Sequence, residues 1–92
     1  MRQWHGKVIH VTDKDVFRLA EVRGAVVNGE AVRLRVAARL SIGEVALACG
    51  VDHSTVWRWE HQKRLPRGEG ALRYADLIES LRGRLSDERE SA

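Results

Sequence analysis

Two helix-start signals, with a helix-stopping glycine between them, confine the middle of this chain to a narrow set of structures. Ser41-Ile42-Gly43-Glu44 has the form of a capping box. In that motif the Ser41 hydroxyl accepts from the Glu44 amide and the Glu44 carboxylate accepts from the Ser41 amide. A helix therefore starts at Ser41, runs through Val45, Ala46 and Cys49, and ends at Gly50, the residue type that best tolerates a left-handed conformation. Asp52 is placed to cap a second helix over His53 to about His61, and Pro66 disfavours helix at the residue before it. Neither helix is long enough to be stable alone. They must pack across Gly50-Val51-Asp52, with the small Ala46 where they cross and Val56 and Trp59 pinning the second helix.

The flanking sequence supplies the rest of an all-α domain. Lys7 to Thr12 is rich in β-branched residues and reads either as a short N-terminal β-strand or as an extended arm. Thr12 is an N-cap, with Asp13 and Asp15 favoured in the first turn, so a helix is expected from Asp13 to Val27 with Phe17, Ala20 and Val22 available to pack. Asn28-Gly29 stops it. Glu30 to Leu40 contains no breaker and puts Ala31, Leu34, Arg35 and Ala38 on one helical face. A loop at Leu65-Pro66-Arg67-Gly68 leads to a last helix, about Glu69 to Leu85, whose apolar stripe is Leu72, Ala75, Ile78, Leu81 and Leu85. The expected organisation is an N-terminal extension over 1–29, a domain over 30–85 and a polar, frayed tail over 86–92.

Composition limits the chemistry. At 92 residues there is room for one small core and none for a second, ligand-sensing domain, so no small-molecule ligand is expected. The single Cys49 forms no internal disulfide, and with four scattered histidines it offers no zinc-ligand spacing; no metal and no cofactor are expected. No Ser, Cys or His has the partners of a nucleophile, which argues against an enzyme. There is no apolar run of about 20 residues and no signal-peptide h-region after Met1, so no membrane association and a cytoplasmic location are expected. The net charge is only +3, but its distribution is uneven. Arg58, Lys63, Arg64, Arg67 and Arg73 face only Glu60 and Glu69 in that stretch, whereas the chain from Asp76 onward is acidic. A local basic excess of this kind suits a polyanion.

On the second helix, Val56, Trp59 and Glu60 fall on one side at about 100° per residue, Ser54 and Arg58 on the other, with Trp57 and Thr55 on the flanks. That outer face has the shape to enter a major groove. Leu40-Ser41-x-x-x-Val45-Ala46-x-x-x-Gly50-Val51, followed by Ser54-Thr55-Val56-x-Arg58-Trp59-Glu60-x-x-Lys63-Arg64-x-Pro66, resembles the Cro and lambda-repressor-like (xenobiotic-response-element) helix-turn-helix family over about Glu30 to Leu85. The Arg-rich, Ala-, Val- and Gly-rich composition suits a GC-rich genome such as an actinobacterium or one of its phages.

The resemblance implies a lambda-repressor-like bundle of about five helices with its helix-turn-helix over Ser41 to His61. It implies sequence-specific binding of a double-stranded DNA operator and repression of the Cro or immunity-repressor type. Bases would be read by His53, Ser54, Trp57 and Arg58; phosphate would lie against Ser41 and Ile42 and along the loop carrying Lys63, Arg64 and Arg67. Glu60 would pair with Arg35 as a structural ion pair. For Trp57, packing on the helix after Pro66 is the alternative to DNA contact; Arg73, Arg82 and Arg84 read as ordinary surface. A homodimer is expected, joined through the last helix or, failing that, the N-terminal segment. The rival function is an antitoxin that also autoregulates its operon, the N-terminal segment covering a toxin. The chain departs from the pattern at Ile42, where relatives have Gln, at His61-Gln62, where they have Arg-Gly, and in its extra N-terminal thirty residues.

Overall fold

The computed structural model describes residues 12–91, with side-chain surroundings through 89. They form five helices and, among the described residues, no strand: α1 (Asp13–Val27), α2 (Glu30–Ala37), α3 (Ile42–Cys49), α4 (His53–Glu60) and α5 (Gly68–Ser91). The strand or arm expected at Lys7 to Thr12 lies, apart from Thr12, outside the described residues. No helix among these is long and apolar enough to cross a membrane.

Local hydrogen bonds explain most of the boundaries. Thr12 Oγ1 accepts from the Asp15 amide at 3.1 Å and starts α1. The capping box of α3 is complete, Ser41 N to Glu44 Oε1 at 2.9 Å and Glu44 N to Ser41 Oγ at 3.0 Å. Asp52 differs from its expected role: its side chain makes no cap bond, and its carbonyl instead receives the amides of Thr55 (2.9 Å) and Val56 (3.4 Å).

Helices α2, α3 and α4 close in one way. In each, a left-handed residue (Arg39, Gly50 or Gln62) bends the chain so that two successive amides return to carbonyls three and five positions back. This closure ends α2 at Ala37, short of the expected Leu40, because the Leu40 amide turns back to the Arg35 carbonyl at 3.0 Å. At the other extreme, α5 outruns its expected end at Leu85 and continues to Ser91 through residues read as a tail. Nothing beyond Gly83 breaks a helix, and the segment is rich in Arg and Glu, good helix formers.

A single core joins all five helices: Val22, Ala25 and Val26 from α1, Ala31 from α2, Val45, Ala46 and Cys49 from α3, Val56 and Trp59 from α4, and Ala71, Tyr74 and Ile78 from α5. Helix α1 is therefore built into the same core as the rest, not appended to it. Its packing face differs from expectation: Val22 is buried, but Phe17 is 70% exposed and Ala20 is exposed as well. Five residues of helix separate Phe17 from Val22, a rotation of about 140°, so one face cannot hold both. On α5 the deepest positions are Ala71, Tyr74, Ile78 and Leu81, while Leu72, Ala75 and Leu85 of the expected stripe are half-buried.

Polar clamps fix α5 and the loop before it. Arg82 grips Glu30 with two bonds of 2.8 Å, so it is a tie from α5 to the start of α2 and not ordinary surface. Arg18 reaches Asp15 (2.8 Å), Asp76 (2.6 Å) and the Leu72 carbonyl (3.2 Å). Pro66 is buried, and its carbonyl accepts Arg23 Nε at 2.8 Å. Gly70 lies so near α3 and α4 that a Cβ there would stand 2.5 Å from Val51 Cγ1.

Candidate nucleic-acid interface

Helix α4 is held from behind. Val56 and Trp59 are buried, Trp59 stacking on Tyr74 with centroids 4.9 Å apart. Glu60 lies on the same side with its side chain 3% exposed, its carboxylate receiving Arg35 Nε at 2.5 Å and Nη2 at 3.0 Å. The Arg35–Glu60 pair expected from the sequence is thus present. Arg35 adds a bond the sequence did not suggest, Nη1 to the Leu40 carbonyl at 2.9 Å, which ties the entry of α3 to the same clamp. Hydrogen bonding to Glu60 raises the Arg35 pKa further above its ordinary value, against a smaller opposing effect of burial. The guanidinium is permanently charged.

What remains outward on α4 is His53, Ser54, Trp57 and Arg58, all exposed. His53 lies over the first turn of α3, its Cδ2 3.7 Å from where a Cβ on Gly43 would be, so the structure brings it to Ser41 and Ile42. Ser41 is exposed, but Ile42 packs its side chain on the core, leaving only backbone to offer. The amides of Ile42 and Gly43 have no partner among the described residues, nor have those of His53 and Ser54, since the Asp52 side chain caps nothing. Two helix starts with free donors therefore lie side by side, an arrangement that suits phosphate oxygens.

Trp57 is only partly covered. It is 39% exposed and stacks on His61, centroids 4.0 Å apart and planes at 19°, and the His61 ring Nδ1 lies 2.9 Å from the Trp57 carbonyl. His61 was missed as a site residue, although its four-residue spacing from Trp57 on a helix edge was a signal that the rings could meet. Beyond it, Lys63 and Arg64 border a groove with Val27 and Leu65 at the far end of α4 from His53. Arg67 follows the anchored Pro66.

No family model, curated protein or solved structure matches the chain.

Arg18, Arg35, Arg73 and Arg82 each face a carboxylate. Arg58, Lys63, Arg64 and Arg67 are exposed and make no ion pair or side-chain hydrogen bond among the described residues. Pairing separates the cations only in part, since Lys14, Arg23, Arg33, Arg39, Arg84 and Arg89, elsewhere on the chain, also make no ion pair among the described residues. Uncompensated cations on one helix face and the loop after it can neutralise an extended anion. Cys49 is fully buried, and burial pushes its thiol up to about 11, so it stays protonated at neutral pH. Among the described residues no three His, Cys, Asp or Glu side chains gather as metal ligands.

Proposed function

We propose that the chain binds double-stranded DNA sequence-specifically, through a lambda-repressor-like helix-turn-helix formed by α3 and α4, and acts in the cytoplasm as a small repressor of the Cro or immunity type. The observation that carries this reading is the two-sidedness of α4: Val56, Trp59 and Glu60 are fixed inward while His53, Ser54, Trp57 and Arg58 stand free, continuing into the unpaired Lys63, Arg64 and Arg67.

Helix α4 lies in the major groove, where Arg58 donates to a guanine edge and His53, Ser54 and Trp57 meet neighbouring bases or a thymine methyl. The free amides at the start of α3, with Ser41, hold one phosphate strand; Lys63, Arg64 and Arg67 hold another stretch of backbone. Repression is steric, by occupation of an operator that overlaps a promoter. One such unit reads only a few base pairs, so a homodimer reads two half-sites about one helical turn apart.

Selection of bound sites from random duplex DNA with the purified chain tests the reading. A recurrent motif, bound with an affinity that falls steeply with salt, is expected. Recovery of unselected sequence would overturn it.

A further inference from the structure

Helix α4 turns one large apolar side chain to solvent, Trp57, set among the polar His53, Ser54 and Arg58. A lone tryptophan at such a place can turn among several rotamers. Here one face of the indole lies on the His61 ring, centroids 4.0 Å apart and planes at 19°. The imidazole is itself held. A carbonyl only accepts, so Nδ1, 2.9 Å from the Trp57 carbonyl, donates to it. Stack and hydrogen bond both run between Trp57 and His61, so each restrains the other.

At about 100° per residue, His61 falls between Trp57 and Ser54 on the outer side of α4. Unpaired cations border the two rings: Arg58 follows Trp57 directly, and Lys63 and Arg64 come two and three residues after His61. A restrained apolar plate between such cations suits the floor of a major groove flanked by its phosphates. On that floor thymine offers an apolar group, its C5 methyl, where the other bases offer hydrogen-bonding edges.

We propose that Trp57 reads a thymine C5 methyl, and that His61 is the positioning residue that holds the indole ready for it. The proposal rests on the DNA reading and adds to it the base chemistry selected at this position. Ordering a side chain only on binding weakens a complex by about two- to tenfold. The stack on His61 removes that loss by ordering Trp57 in the free protein.

The test uses the operator selected from random duplex, resynthesised with deoxyuridine in place of thymine at one position at a time, which deletes the methyl and keeps the base pair. One thymine should stand out, its replacement weakening the wild type about fourfold, the worth of one buried methyl-sized group. Trp57→Ala should bind the thymine and uracil duplexes equally. His61→Ala should weaken operator binding by about two- to tenfold and shrink the thymine-to-uracil ratio, whereas His61→Phe, which keeps a ring for the stack, should preserve that ratio. Both residues lie outside the core, so helical content should not change in these variants. Selection that yields no motif overturns the DNA reading and this proposal with it. A motif with no uracil-sensitive thymine overturns this proposal alone. So does a sensitivity that survives Trp57→Ala or His61→Ala undiminished.

Discussion

Arg35 closes on Glu60 through two hydrogen bonds, Nε to Oε2 at 2.5 Å and Nη2 to Oε1 at 3.0 Å, while its third nitrogen holds the Leu40 carbonyl. One guanidinium thus joins α2, the chain entering α3, and the back of α4. With the carboxylate side chain 3% exposed and the guanidinium 16%, water can rescue neither charge. Glu60→Ala or Arg35→Ala should each cost about 3–5 kcal/mol, because the surviving charge is left buried. Replacing both by Leu should cost less than the sum of the single changes. Urea titration of the three variants checks this, and single-variant losses below about 1 kcal/mol would mean that the pair is only a surface contact.

Tyr74 presents the opposite case, a polar group with no partner. Its hydroxyl is buried without a hydrogen bond, and burial, with Glu60 nearby, pushes its pKa well above the usual value. Tyr74→Phe keeps the stack on Trp59 and removes the unsatisfied group, so it should stabilise the fold by roughly 1 kcal/mol at neutral pH. The gain should widen in alkali. With the folded pKa raised, the unfolded chain ionises first, and the wild type loses stability as pH rises past about 10. The variant has no such loss, and the difference should grow by up to about 1.4 kcal/mol per pH unit until the folded form titrates. Thermal melts of both proteins between neutral pH and pH 11 compare them; a gap that narrows with pH contradicts the assignment.

Legibility in the sequence followed the range of the interaction. The start of α1 at Thr12, the capping box of Ser41 and Glu44, and the stop at Gly50 are bonds within a few residues, and each was readable. The Arg35–Glu60 pair spans 25 positions and was reached only through the family resemblance. The Arg82–Glu30 clamp spans 52 and went unread, as did the approach of Gly70 to Val51, because both depend on where α5 lies against the body. The same dependence explains why Ala71 and Tyr74 displaced Leu72 and Ala75 from the deepest positions. On the candidate interface, the wheel alone put Ser54 and Arg58 outward, whereas His53 and Trp57 joined them through the family resemblance. The stacking of His61 on Trp57 was not legible, since ring contact needs side-chain orientation as well as spacing.

Arg39 concealed the end of α2 because it is not a glycine, and it and Gln62, just past the end of α4, both adopt positive φ, 63° and 57°. A left-handed conformation costs an L-residue about 1–2 kcal/mol that glycine avoids. Gln62 has one long compensating bond, Nε2 to the Val27 carbonyl at 3.4 Å, and Arg39 has none among the described residues. Arg39→Gly and Gln62→Gly should each stabilise by about 0.5–1 kcal/mol after the entropy cost of glycine. At Gly50, φ is 71° and a Cβ would lie 2.5 Å from Arg73 Nη1, so Gly50→Ala should destabilise. Melting temperatures of the three variants decide it; a fall in both glycine variants would refute the account of these turns.

Arg58 and Arg64 are both exposed and both unpaired among the described residues, but they occupy different ground. Arg58 lies on the outward side of α4, opposite Val56 and Trp59, whereas Arg64 borders the groove beyond the helix end, beside Val27 and Leu65. If α4 reads the major groove, Arg58→Ala should lose roughly 1–3 kcal/mol on the selected operator and relax the preference at one base pair per half-site. Arg64→Ala should weaken operator and scrambled duplex alike and reduce the salt slope by roughly one counterion per contact. The distinction lies in the ratio of the two affinities, which a loss of fold or of overall charge leaves unchanged. Titrating both variants against both duplexes at several salt concentrations reads that ratio directly. An operator-to-scrambled ratio that survives Arg58→Ala intact would move the recognition surface off this side of α4.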